Sequence, residues 1–423
     1  MNVLIVDKLS SEVVSALENL GLQVDVCSDL KAETLPDAVG VTDILVVRST
    51  KVTAATIQAA PRLSLVIRAG AGVDTIDLAA ASERGIYVAN CPGQNTAAVA
   101  ELAIGLLVAA DRRIVDATLA IRHGAWRKKE FGKAHGLAGR TLGILGFGAI
   151  GKAVAQRAAG LEMKVVAWSR SLTCEAAEGH GVGYAASPEE LAAACDAVSI
   201  HLALTPETKH LVGPRFLDAL RPGAILINTA RGPLVDTTAL RAAIAAKGLR
   251  VGLDVFEGEP AGGEAAWTDR DLASLVTGTP HIGASTDQAA EAVAAEVVRI
   301  VELFVRTGHP AGTVNLCAHS PAKYRLVVRH LNRVGVLAFV LDALREEGIN
   351  VEEMENTIFA GTTAACCSML LDQPPSTSLV DTLRNNDNVL HVTLNPYALS
   401  GAGRTTSPLS CSSPPCSLTA SPT

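Results

Sequence analysis

The 423-residue chain has no basic block: 36 lysines and arginines face 43 aspartates and glutamates, and the densest cationic run is Arg127-Lys128-Lys129. A nucleic-acid partner is thereby excluded, because phosphate backbones are gripped by clustered Lys and Arg. A run this short suits one phosphate. No apolar stretch is long enough to cross a membrane. The best helix, Ala97 to Ala110, contains Glu101 and falls short of the roughly 20 residues that a bilayer requires. The opening Met1-Asn2-Val3-Leu4-Ile5-Val6-Asp7 reads as a strand and lacks the cationic start of a signal peptide. Nine cysteines lie at irregular spacing, Cys366 beside Cys367, with no C-x-x-C pair, which supports neither a disulfide framework nor a zinc site. No metal is expected, and reduced thiols fit a cytoplasmic protein. Solenoid-period repeats are also missing. What is present is apolar bulk: 48% hydrophobic against 19% charged residues, enough for large cores and too much for global disorder. Two or three domains are expected at this length.

From residue 1 to about 95, short β-rich runs alternate with helical stretches: Val3–Asp7, Gln23–Cys27, Asp43–Arg48, Ser64–Ala69 and Ile86–Asn90. Such alternation predicts a parallel sheet with crossover helices. A long apolar helix over about Asn95 to Asp111 and a polar arm ending at Arg140 come next. A second series predicts six strands at Thr141–Leu145, Lys164–Trp168, Ala197–His201, Ala224–Asn228, Arg250–Val255 and Leu275–Thr277, the complement of a dinucleotide-binding sheet. A helix over Asp287 to Thr307 should return the chain to the first domain. From Lys323 the order is strand Lys323–His330, helix Val334–Glu347, strands Asn350–Ile358 and Thr363–Leu371, helix Ser376–Asn385 and strand Val389–Leu394. That β-α-β-β-α-β order predicts a ferredoxin-like module. The expected α/β architecture is a flavodoxin-like substrate domain (1–95 with 286–315), a Rossmann domain (96–285), the small module (320–396) and a disordered Ser/Thr/Pro/Gly tail (397–423).

Gly146-Phe147-Gly148-Ala149-Ile150-Gly151 follows one strand and opens a helix. Gly146 suits the tight turn, Gly148 close approach to a pyrophosphate, and Gly151 close helix packing, with the helix N-terminus facing the negative charge. Alone the motif is weak; five further strands make it specific. The next strand ends in Ser169-Arg170, where an NAD site usually carries Asp or Glu. A neutral side chain beside a guanidinium suits the extra phosphate of NADP, while a solvated Arg170 leaves NAD in place. Both readings stand. Arg231, Glu259 and His281 follow later strands, and the carboxyl ends of strands in an open sheet converge on one crevice. Arginine suits a carboxylate and keto oxygen bidentately, and histidine beside a carboxylate suits proton transfer near neutral pH. Taken singly, the three also read as a surface ion pair, a helix start and a satisfied loop histidine; jointly they read as a site.

These stretches resemble the D-isomer-specific 2-hydroxyacid dehydrogenase family across residues 1 to about 315. The resemblance implies that His281 is the acid–base, that Glu259 tunes it and that Arg231 binds the substrate carboxylate. It implies a cofactor site of Gly146, Gly148, Ala149, Ile150, Gly151, Ser169, Arg170, Leu202, Thr229, Ala230, Asp254, Gly283 and Ala284, taking NAD, or NADP through Ser169-Arg170. Val47-Arg48-Ser49-Thr50-Lys51-Val52-Thr53, Arg68-Ala69-Gly70-Ala71-Gly72-Val73-Asp74 and Asn90-Cys91-Pro92-Gly93-Gln94-Asn95 are similar to the phosphoglycerate dehydrogenase branch. That likeness puts Arg48, Ser49, Gly70, Ala71, Gly72 and Asn95 at a phosphorylated 2-hydroxy acid, with Arg48 on the phosphate and backbone amides of Gly70–Val73 on the carboxylate. A turn with a surface arginine is the structural alternative. The arm with Trp126-Arg127-Lys128-Lys129 corresponds to a segment that crosses to a partner subunit, implying a homodimer or homotetramer in which Arg127 or Lys128 reaches the neighbouring site.

Arg329-His330-Leu331-Asn332-Arg333-Val334-Gly335-Val336-Leu337 resembles the ACT-domain signature, with Val334 in place of the usual proline. The resemblance implies an L-serine effector bound by His330, Asn332 and Asn350 between two paired modules; turn-capping residues in a dimerising module are the alternative. The activity implied is oxidation of 3-phosphoglycerate to 3-phosphohydroxypyruvate in L-serine biosynthesis. An NADPH-preferring hydroxypyruvate or glyoxylate reductase, and a non-catalytic dinucleotide-sensing regulator, are the other readings.

Overall fold

Parallel strands rich in Val, Ile and Leu, buried on both faces, organise the larger part of the chain. The structure is a computed structural model that describes residues 1–260, 265–317 and 320–397; the expected disordered tail, beyond Tyr397, lies outside the described residues. Residues 1–316 form one unit and the remainder a second. In the first unit, β1 (Asn2–Ile5), β2 (Gln23–Val26), β3 (Ile44–Val47), β4 (Leu65–Arg68) and β5 (Tyr87–Asn90) make a five-stranded sheet of order β2-β1-β3-β4-β5. All four residues of β3 are buried. The five strands pair in parallel, in the doubly wound order of flavodoxin-like domains. The amphipathic helix Asp287–Thr307 packs Val293, Val297, Ile300, Val301 and Phe304 into this sheet's core.

The second sheet has seven strands: β6 (Thr141–Leu145), β7 (Lys164–Trp168), β8 (Gly183–Tyr184), β9 (Ala197–Ile200), β10 (Ile225–Asn228), β11 (Arg250–Leu253) and β12 (Thr277–Gly278). Their order, β12-β11-β10-β9-β6-β7-β8, is that of a dinucleotide-binding sheet with the crossover between β6 and β9. Six strands were expected. The seventh, β8, is a two-residue edge strand too short to leave a period in the sequence. The stretch expected as strand Leu275–Thr277 divides instead: Asp269 caps a short helix Arg270–Leu275 through the amide of Leu272, and the strand starts at Thr277. The helix Thr96–Arg112 gives Ala100, Ala103, Leu106 and Leu107 to this second core. Beyond it the arm forms two helices, Ile114–Arg122 and Lys128–Phe131.

The small unit is ferredoxin-like. β13 (Tyr324–Leu331), helix Val336–Glu346, β14 (Val351–Ile358), β15 (Ala364–Leu371), helix Thr377–Arg384 and β16 (Val389–Pro396) build an antiparallel sheet of order β14-β15-β13-β16. Alternate residues Leu326, Val328, Cys367 and Met369 face both helices. Among the described residues no helix is long and apolar enough to cross a membrane.

Candidate active site

Strand register sets the site. Leu145 pairs with Trp168 and with Ile200, Ile200 with Asn228, and Asn228 with Leu253. The residues that follow these strand ends, Gly146, Ser169, His201, Thr229 and Asp254, therefore stand in one row along the carboxyl edge. Gly146 has φ 103°, and a Cβ there would lie 2.6 Å from the carbonyl oxygen of His201. A Cβ on Gly151 would fall 2.1 Å from the oxygen of Gly146. Gly148 caps the helix Ala149–Gly160, whose first turn, Ala149 and Ile150, opens beside the row. The hydroxyl of Thr229 and Nδ1 of His201 are buried without a partner. Bare backbone, a helix N-terminus and two orphaned polar atoms on one edge fit a dinucleotide. Burial pushes His201 down to about 3, so it is a neutral imidazole, with Nε2 2.8 Å from Ser199 Oγ. Leu202 packs beside the Gly146 turn, and Ala230 donates its amide to Asn228 Oδ1. Arg170 is exposed. Its charge helps hold Glu207 below the usual carboxylate range, after the larger effect of a hydrogen bond from Thr205.

Glu259 and His281 meet: Nδ1 of His281 is 2.7 Å from Glu259 Oε1. That hydrogen bond, opposed by burial, raises the imidazole above its ordinary value. Burial alone would raise Glu259, but the bond and charge of His281 leave it lowered. Asp254, expected as a cofactor contact, stands at the same edge and has three protein partners. It is buried, and its carboxylate accepts from Thr279 Oγ1 (2.6 Å) and from the amides of Ile282 and Gly283 (each 2.8 Å), tying down the loop that carries His281 and leads into Ala284.

Arg231 faces the first sheet. Its Nε and Nη2 reach Asp74 at 3.4 and 3.2 Å, and its charge acts on both Glu259 and His281. Burial would raise Asp74; the charge and bond of Arg231 bring it below the usual carboxylate range. Gly70, at φ 153°, leaves no space for a Cβ, which would lie 1.6 Å from Nη1 of Arg68. Arg68 opens one of the motifs read from the sequence but is given no role there. It ends an otherwise apolar strand, its Nε is buried without a partner, and burial, then the charges of Arg231 and Arg48, lower its pKa. A cation closing the apolar run Leu65-Val66-Ile67 is the signal that would have found it.

Of the other expected substrate contacts, Ser49 gives its amide and hydroxyl to Asp7, as Arg48 gives its amide, at 2.6–3.0 Å. Gly70 gives its amide to Arg68, while those of Ala71 and Gly72 have no acceptor among the described residues. Asn95 caps the helix Thr96–Arg112 with no side-chain bond. In the small unit His330 is buried, between Leu331 O at 2.8 Å and Asn356 Oδ1 at 3.3 Å. Asn332 bonds Thr362 O and Asn350 bonds Glu352. Leu331 pairs with Ala364 and Val351 with Leu371, so His330 and Asn332 lie at one end of the sheet and Asn350 at the other. One module does not gather the three.

The model of the D-isomer specific 2-hydroxyacid dehydrogenase NAD binding domain matches residues 104–283. The glyoxylate reductase of Thermococcus litoralis is 42% identical over 265 residues, 60% of this chain and 78% of that protein. The chain belongs to the D-isomer-specific 2-hydroxyacid dehydrogenase family. Within that family it is 38% identical over 320 residues to the D-3-phosphoglycerate dehydrogenase of Methanocaldococcus jannaschii, a match covering 75% of this chain but only 60% of that relative's length. The NAD+-bound 3-phosphoglycerate dehydrogenase structure from Entamoeba histolytica superposes with a TM-score of 0.63 at 28% identity, over 75% of this chain and 99% of the other.

Proposed function

We propose that the chain oxidises 3-phosphoglycerate to 3-phosphohydroxypyruvate with NAD(P), in L-serine biosynthesis. The observation that carries this reading is the histidine–carboxylate pair, His281 and Glu259, with the charge of Arg231 acting on both and, together with that of Arg48, on Arg68. Nδ1 of His281 is held by Glu259, which leaves Nε2 to take the hydroxyl proton; the carboxylate then stabilises the imidazolium. Arg231 binds the acid group. A nicotinamide cofactor, when bound, would supply the acceptor for the hydride that leaves the carbinol carbon. Gly146, Gly148, Ala149, Ile150, Gly151, Ser169 and Thr229 would hold the cofactor along the carboxyl edge. A half-buried guanidinium whose buried Nε has no protein partner, and on which the charges of two further arginines act, is suited to a dianionic phosphate.

A glyoxylate or hydroxypyruvate reductase is the second reading, favoured by Ser169-Arg170 and by the Thermococcus litoralis relative. Arg170 supplies a partner for the 2′-phosphate of NADP; Glu207 nearby offsets that charge and speaks for NAD. Residues 1–95 with 286–315 serve as the substrate domain and 96–285 as the dinucleotide domain in either case. The small module serves as an ACT-type sensor whose serine site, with Asn350 remote from His330 and Asn332, needs two paired modules. Initial rates with NAD(H) and NADP(H), each paired with phosphohydroxypyruvate, hydroxypyruvate and glyoxylate, test the substrate. Fast glyoxylate reduction beside poor turnover of the phosphorylated acid sinks the first reading. In the same assay serine is expected to lower the rate; an unchanged rate removes the sensor.

A further inference from the structure

Arg231 follows β10 of the second sheet, yet the carboxylate that meets it comes from the first. Asp74, in the turn after β4 and 157 residues away, accepts from Nε at 3.4 Å and from Nη2 at 3.2 Å. Nη1 donates to the carbonyl of Ala230 at 2.7 Å. A guanidinium has five N–H donors in a rigid plane. Asp74 takes the side edge formed by Nε and Nη2, and Ala230 takes one proton of Nη1. That leaves one proton on each Nη for an incoming carboxylate.

The turn is shaped around the pair. A Cβ on Gly72 would lie 2.0 Å from Nη2 of Arg231 and 2.7 Å from Oδ1 of Asp74, so any larger residue there would require the two side chains to shift. Two backbone bonds of 2.9 Å, Val52 N to Thr75 O and Asp77 N to Val52 O, pin the same turn to the segment after β3. The backbone that follows Asp74 is thus fixed, and its half-exposed carboxylate is held by Arg231.

We propose that Asp74 is a positioning residue: it grips Arg231 by the side edge and so presents the remaining Nη protons to the acid group of the substrate. It does not touch the substrate. The inference rests on the 2-hydroxyacid reading above and adds a constraint that joins the arginine of one sheet to the sheet bearing Arg48 and Arg68. The competing view makes Asp74 a stand-in carboxylate that the substrate must displace. The two differ in sign, because loss of a positioning group weakens acid binding whereas loss of a competitor tightens it.

The test uses the full chain with Asp74→Asn, which is uncharged and has one acceptor oxygen where Asp74 uses two, and reads three quantities. The KM of the 2-oxo acid and the inhibition constant of oxamate, an inert carboxylate probe, are expected to rise about tenfold to a hundredfold, the scale of one charged hydrogen bond. The KM of the cofactor stays in place, which a general loss of structure would not allow. Asp74→Glu should recover part of the affinity, and Gly72→Ala should reproduce the defect by forcing the pair apart. Unchanged or tighter acid and oxamate binding in Asp74→Asn overturns the proposal. If the wild type turns over no 2-oxo acid, the functional reading fails instead. Oxamate titration calorimetry on the cofactor-loaded wild type and variant still decides the role of Asp74.

Discussion

His281 sits in a left-handed backbone conformation, φ 54°, which costs a residue with a side chain roughly 1–3 kcal/mol. The strain is held by the amide of His281, which bonds the carbonyls of Asp254 (2.8 Å) and Thr279 (3.1 Å), and it directs the ring toward Glu259. Because that contact raises the imidazole, oxidation, which needs the neutral base, should gain kcat/KM as pH climbs through a value above the ordinary one near 6.5. Reduction, which needs the imidazolium, should fall over the same range. Glu259→Gln removes the main cause of the shift, so the oxidative limb should move to lower pH; a pH–rate profile that stays in place would show that Glu259 does not tune the base. His281→Ala is expected to lower kcat about 10²- to 10⁴-fold while cofactor still binds, measured by fluorescence titration. Lost cofactor binding would make His281 a structural residue.

At the scale of elements, what was legible was what repeats locally. The edges of β6 and β7 and the helix Asp287–Thr307 fall where apolar runs and caps put them. The row of strand-end residues could be read because each follows an apolar run directly. Partners brought together by the fold left no local trace: Asp7 reaches Arg48 across 41 residues, and Asp74 reaches Arg231 across 157. Asp254 shows the same limit. Its position at a strand end is legible in the sequence, but its three acceptor bonds to the loop 279–283 are not, because only the folded chain makes them. Asp254→Asn puts a donor against a donor in a buried site, at a cost of about 1–3 kcal/mol. The expected result is a lower Tm together with a lower kcat, since His281 loses its anchor. A variant with wild-type Tm and only weaker cofactor binding would return Asp254 to the cofactor.

For the whole molecule, the arm between the two large cores is the part that one chain leaves unfinished. The helix Ile114–Arg122 has no buried residue, although Ile114, Val115, Leu119 and Ile121 are apolar, and Trp126 is 82% exposed. Arg113 braces this segment from its base, bonding Asp116 and Glu130 and lying 4.7 Å from the Phe131 ring centre, so the apolar face is presented by an ordered element. Burying each such side chain against a second copy is worth about 1.5–3 kcal/mol, enough in sum to drive association. The full chain is therefore expected to sediment as a dimer or a multiple of one, and Ile121→Asp with Leu119→Asp as a monomer. If Arg127 or Lys128 serves the neighbouring subunit's site, that monomer should also bind the phosphorylated acid more weakly than it binds glyoxylate. A wild type that sediments as a monomer at micromolar concentration would leave the apolar arm without a second copy to cover it.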